Sequence, residues 1–136
     1  MNQIDGKTRL YALIGSPVEH SMSPAMHNAA FENLKLNYRY VCFRVDNDNV
    51  GNAINGMRAL NIGGFNVTVP HKETVMKFLD EIDPIARKIG AVNTIVNSNG
   101  SLKGFNTDWI GLVRSIEEQA EIKNKSVVLV GAGGAA

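Results

Sequence analysis

Cysteine is nearly absent. Cys42 is the single one in 136 residues, so no disulfide can form within the chain. One thiol fits a reducing compartment, and its place in the apolar run Val41–Cys42–Phe43 reads as a buried small hydrophobe. Net charge is nearly absent too, at +1, so no global field draws nucleic acid or an anionic membrane surface. No apolar run is long enough to span a bilayer. The opening Met1–Asn2–Gln3–Ile4–Asp5 lacks the basic and then apolar layout of a signal peptide, and the chain is expected in the cytoplasm. His20, His27 and His71 have no metal-ligand spacing, and no Cys/His cluster joins them, so no metal is assigned. Internal repeats and low-complexity segments are missing. Against these absences stand 44% hydrophobic and 20% charged residues, enough apolar material for the core of one domain.

Apolar periodicity alternates between strand and helix spacing. Leu10–Ile14 is a continuous apolar run that suits a strand buried on both faces. Ser23–Pro24 reads as cap and first residue of a helix to about Leu34, with Met26, Ala29, Ala30 and Leu34 facing inward. Tyr38–Val45 is aromatic and β-branched, a second strand. Asp48 is a cap for a helix whose stripe is Val50, Ala53, Ile54, Met57 and Leu60. Gly63–Gly64 breaks it, Phe65–Val69 is a third strand, and Pro70 closes that strand. A short helix over Lys72–Leu79 and another from Asp83–Pro84 to Gly90 follow. Ala91–Val96 and Leu102–Phe105 flank Asn99–Gly100, the strongest short-range hairpin signal. Asp108 can cap a helix to about Ala120 with Ile110, Val113 and Ile116 on one stripe. Val127–Val130 reads as a last strand before Gly131–Ala136. The expected fold is α/β: three layers, a mostly parallel sheet with helices on both faces, and one antiparallel hairpin strand.

Ligands of such sheets bind beyond the carboxyl ends of the strands. Polar side chains that core packing does not need collect there. They are Ser21 and Ser23 after the first strand, Asn66, Thr68 and Lys72 around the end of the third, Asn93 at the entry to the hairpin, and Asp108 after it. Hydroxyls, amides, one ammonium and one carboxylate together suit a small polyhydroxylated acid. Taken singly, each has a plainer use. Ser23 reads as a helix cap, Lys72 as a solvated lysine, Asp108 as a cap as readily as a functional carboxylate, and Asn66, Thr68 and Asn93 as turn formers.

In order along the chain, His20–Ser21–Met22–Ser23–Pro24, Asn66–Val67–Thr68–Val69–Pro70–His71–Lys72, Ala91–Val92–Asn93–Thr94, Asn106–Thr107–Asp108–Trp109–Ile110–Gly111 and Gly131–Ala136 resemble the motifs of shikimate dehydrogenases. The resemblance runs the whole length. It implies that Ser21 and Ser23 hold the substrate carboxylate, and that Asn66, Thr68 and Asn93 meet its ring hydroxyls. It implies further that Lys72 and Asp108 work jointly as an acid–base dyad that also contacts the substrate. Thr94, Asn106 and Thr107 shape loops, and His71 stays outside the site. Gly131, Ala132, Gly133, Gly134 and Ala135 match the start of a dinucleotide loop, for which the family implies NADP.

The implied layout is a shikimate-binding domain over 1–107, an interdomain helix and linker over 108–125, and the start of a Rossmann domain over 126–136. The implied reaction is the NADP-dependent, reversible reduction of 3-dehydroshikimate to shikimate, on the route to chorismate. This chain would hold the substrate site without catalysing hydride transfer alone. Its partner is the small substrate, not nucleic acid or membrane, and a homodimer is left open. Two other readings stand beside it: a quinate/shikimate dehydrogenase with broader choice and NAD, and a non-catalytic module that binds a shikimate-like metabolite.

Overall fold

The structure, a computed structural model, describes residues 4–128 together with Val130, Gly131 and Gly133. In chain order it contains β1 (Arg9–Gly15), α1 (Ser23–Asn33), β2 (Tyr38–Arg44), α2 (Val50–Ala59), β3 (Gly64–Val67), β4 (Glu81–Ile82), α3 (Pro84–Ile89), β5 (Thr94–Ser98), β6 (Ser101–Phe105) and α4 (Asp108–Glu117). Short 3-10 turns occupy Asn47–Asn49 and Thr74–Phe78. The strands form one sheet in the order β2-β1-β3-β5-β6-β4. β1 runs parallel to β2 and β3, and β4 parallel to β6, while β5 is antiparallel to both β3 and β6. One reversed strand in an otherwise parallel sheet is the expected architecture.

Alternation along β1 builds the two sides. Ala12 and Ile14 enter a core with Val50, Ile54 and Met57 of α2, Phe65, Val67, Ile95 and Leu102 of the sheet, and Ala86 of α3. Leu13 points the other way, into a smaller cluster with Val18 and Tyr40, packed by Tyr11, Phe31 and Cys42. Each fully buried isoleucine, such as Ile14, Ile54 or Ile95, contributes about 1.5–3 kcal/mol over leaving it exposed.

Local chemistry explains several boundaries. The Asp83 carboxylate accepts from the N–H groups of Ile85 and Ala86 at 3.0 and 3.4 Å, Pro84 occupies the first turn, and Gly90 ends α3 at φ 82°. Asn99 and Gly100 both take positive φ, 54° and 93°, as a two-residue turn between β5 and β6 demands.

Other expectations need correction. α1 turns His27, Asn28 and Phe31 toward the sheet, not the Met26, Ala29, Ala30 and Leu34 face, which is exposed. Its attachment is by rings and an amide: His27 stacks on Tyr40 at 4.2 Å, and Asn28 bonds the Tyr40 backbone twice at 2.9 Å. Counting aliphatic residues cannot find such a face. Ser23 lies inside the first turn of α1 and makes no cap bond of its own. Asp48 sits in the 3-10 turn, with Asn49 preceding α2, because the chain tightens before the helix begins. Leu60 falls beyond the end of α2 and is exposed. Thr74–Phe78 is a 3-10 turn rather than an α-helix, and the two-residue β4 was not expected. The apolar stripe of α4 has no buried member. Val127, Val128 and Val130 are exposed and outside any strand, since a strand forms only beside a partner.

Candidate substrate site

Strand direction decides what meets at the polar edge. β1, β3 and β6 leave the sheet there, so the segments after them carry Ser21 and Ser23, Thr68 to Lys72, and Asn106 to Asp108. The reversed β5 enters at the same edge, which delivers Asn93 to it. Thr68 closes on β1 because Gly15 has no side chain: a Cβ there would lie 2.3 Å from Thr68 Cγ2.

Lys72 is pinned on both sides. Its carbonyl accepts from Val92 N–H at 2.8 Å. The neighbouring His71 ring is fully buried, with Nε2 2.6 Å from the Val45 carbonyl and Nδ1 without a partner. The Lys72 ammonium donates to Asp108 Oδ2 at 2.6 Å; its side chain is 15% exposed and that of Asp108 43%. The second carboxylate oxygen, Oδ1, accepts from Asn93 Nδ2 at 2.7 Å. Asp108 does not cap α4 with its side chain, as it was free to do. Asn106 accepts the Asp108 N–H at 3.0 Å and anchors itself on the Ala91 carbonyl at 3.1 Å, which fixes the start of α4. The place of Asp108 in the first turn of α4 adds a favourable dipole for negative charge.

Asn93 is 8% exposed. Its Oδ1 accepts from Thr107 N–H and from the Thr94 hydroxyl, both at 2.9 Å, and Nδ2 also donates to Thr107 Oγ1 at 2.9 Å. Asn66 Nδ2 donates to Thr94 Oγ1 at 3.2 Å, and Asn66 Oδ1 accepts from the Tyr40 hydroxyl at 2.7 Å. Burial pushes the Tyr40 phenol well above the ordinary value of 10, opposed by the nearby Ser23 hydroxyl. The hydroxyls of Ser21 and Ser23 lie 3.1 Å apart, and Ser21 Oγ accepts the Ser23 N–H at 3.2 Å. Met22 between them is in the right-handed helical region, so a turn, not an extended segment, brings the pair together. Cys42 packs beside Tyr40. Burial raises its thiol, opposed by the Ser21 hydroxyl.

The candidates therefore gather in two adjoining groups: Asn66, Asn93, Asp108 and Lys72 are joined by side-chain bonds through Thr94, with Tyr40 at one end; Ser21 and Ser23 bond each other near Tyr40, and Thr68 stands against Gly15. The linking residues Tyr40, Thr94 and Thr107 carry no site signal in the sequence, where they read as strand or loop residues. Tyr40 could have been found from its register: it lies on the same sheet face as Asn66, two strands away. A hollow of about 580 Å³ opens along this face from Tyr40, Asn66 and Thr94 to Arg9 and Asn99, and Lys72, Asp108 and the two serines do not line it.

Among the described residues, no group of three or more His, Cys, Asp or Glu could hold a metal ion, and no helix is long and apolar enough to cross a membrane. Gly131 has φ 106°, a value suited to a tight glycine loop. Ala132, Gly134 and Ala135 lie outside the described residues. The described residues around Gly131 include no strand or helix and do not build a dinucleotide cradle.

Residues 13–95 match the family described as the shikimate dehydrogenase substrate binding domain. An NADP(+) shikimate dehydrogenase of Desulforamulus reducens is 60% identical, over 98% of this chain and 47% of its own length. A solved shikimate dehydrogenase in complex with NADP+ superposes with TM-score 0.93 at 54% identity, covering 98% of this chain and 47% of that one. The Aquifex aeolicus shikimate dehydrogenase gives TM-score 0.95 at 43% identity, over 98% and 50%. The chain thus spans about half the length of the curated relatives it matches. It belongs to the shikimate dehydrogenase family, through the family's substrate-binding domain.

Proposed function

We propose that this chain is the substrate half of an NADP-dependent shikimate dehydrogenase, acting in the reversible reduction of 3-dehydroshikimate to shikimate. Residues 1–107 bind substrate, 108–125 connect, and 126–136 begin the cofactor domain. The observation that carries the reading is the Lys72–Asp108 pair, held by Asn93 at the same sheet edge as the paired serines.

Each role follows from chemistry at that edge. Reduction of a ketone builds negative charge on its oxygen, and an adjacent ammonium stabilises that charge and donates the proton. Lys72 does this, and takes the proton back in the other direction. Asp108 keeps the ammonium in place and accepts from a ring hydroxyl. Ser21 and Ser23 receive the carboxylate close to the N-terminus of α1, where the helix dipole favours an anion. Thr68, Asn66 and Asn93 meet the remaining hydroxyls.

The enzyme works in the cytoplasm on a small acid, with neither nucleic acid nor membrane as partner. A homodimer would use a surface other than the middle of the β2 edge, which Asn28 already pairs. Calorimetric titration of this chain tests the proposal. Shikimate binds, its methyl ester binds more weakly, and NADP produces no oxidation. Equal affinity for acid and ester, or no binding of either, would refute it.

A further inference from the structure

We propose that Tyr40 is a positioning residue whose buried hydroxyl fixes the face that Asn66 turns to a bound polyhydroxylated acid. The inference rests on the substrate reading above and adds a residue to it.

One donor in this network has a direction beyond choice. The Thr107 backbone N–H can only donate, and it meets Asn93 Oδ1 at 2.9 Å. That assigns the Asn93 amide, whose Nδ2 then faces Asp108. The Thr94 hydroxyl, 2.9 Å from the same oxygen, must spend its proton there. Thr94 Oγ1 is left to accept, so Asn66 presents Nδ2 to it at 3.2 Å. Asn66 Oδ1 must then face Tyr40, 2.7 Å away, and the phenol is the donor. Every link runs one way, from Tyr40 through Asn66, Thr94 and Asn93 to the carboxylate that holds Lys72.

Tyr40 is built to hold its end. It is 4% exposed, its ring is stacked by His27, and its backbone is clamped by the Asn28 amide. With one Oδ1 lone pair taken by Tyr40 and the Nδ2 protons turned to Thr94 Oγ1 and the Asn93 carbonyl, Asn66 offers an incoming hydroxyl a lone pair at a fixed angle. Remove the phenol oxygen and the carboxamide is held at one end only.

Four forms of this chain test the idea by NMR titration with shikimate: unmutated, Tyr40→Phe, Asn66→Ala, and both together. Tyr40→Phe keeps the ring stack. It should weaken binding about three- to tenfold, the range of one neutral hydrogen bond, and should shift the Asn66 side-chain NH2 signals. In the Asn66→Ala background it should cost much less, since Tyr40 acts mainly through Asn66 and only the neighbouring Ser23 hydroxyl is left to feel the change. An equal loss in both backgrounds, or unmoved Asn66 signals with unchanged affinity, would overturn the proposal. If the unmutated chain does not bind shikimate, the functional reading fails, and the Asn66 signals alone decide this one. Should Tyr40→Phe not fold, the unmutated chain still answers: a slowly exchanging Tyr40 hydroxyl proton with contacts to Asn66 supports the inference, and its absence contradicts it.

Discussion

The Lys72 ammonium lies 2.6 Å from Asp108 Oδ2, across 36 residues of sequence, and Asn93 holds the other carboxylate oxygen at 2.7 Å. The pair comes together because β3 and β6 both leave the sheet at the edge where β5 enters it. A partly exposed ion pair of this kind adds little to stability. With Lys72 mostly covered and the partner carboxylate held by Lys72 and Asn93, the pair is suited to present one oriented ammonium.

Lys72→Ala, placed in a full-length dehydrogenase carrying this segment, should lower turnover by roughly 10²–10⁴. Steady-state kinetics with shikimate measure it. The loss should fall mainly on kcat; unchanged kcat with a raised KM would show that Lys72 binds substrate but does not move the proton.

Two glycines should answer differently to alanine. At Gly15 a Cβ meets Thr68 Cγ2 at 2.3 Å and the Val69 carbonyl at 3.1 Å. Gly15→Ala should therefore cost about 1–3 kcal/mol and weaken shikimate binding by displacing Thr68. Gly111, inside α4, has nothing within 4 Å, and Gly111→Ala should gain up to about 1 kcal/mol from helix propensity. Chemical denaturation of both variants measures the contrast.

Burial holds the His27 imidazole below its ordinary 6.5, because the charged ring loses hydration against the sheet. The unfolded chain therefore binds the proton first as pH falls. The stability His27 contributes is full above about 6.5 and declines as pH drops from there through the lower folded value. His27→Phe should flatten that part of the curve, measured by denaturation midpoints between neutral and mildly acidic pH.

The sheet and most elements were legible because strands and α2 bury aliphatic residues at regular spacing, and because Asp83–Pro84, Gly90 and Asn99–Gly100 fix their own local geometry. The inner face of α1 was not, because it is made of His27, Asn28 and Phe31, whose contacts depend on the partner strand. Ser21, Ser23, Asn66, Lys72, Asn93 and Asp108 were legible as residues. What they bond to was not. Asp108 looks like a cap for α4 by spacing alone, but it lies inside the first turn with both carboxylate oxygens held by Lys72 and Asn93, and Tyr40 looks like any strand aromatic until the register sets it against Asn66. Bonds across the sheet depend on strand order, and spacing along the chain does not reveal that order.

The most direct measurement is a residue-resolved NMR titration of this chain with shikimate. Signals of Ser21, Ser23, Asn66, Lys72, Asn93 and Asp108 should move together along one binding curve. Movement confined to the Arg9–Asn99 end of the sheet, with Lys72 and Asp108 unaffected, would contradict a shared substrate site at the strand edge.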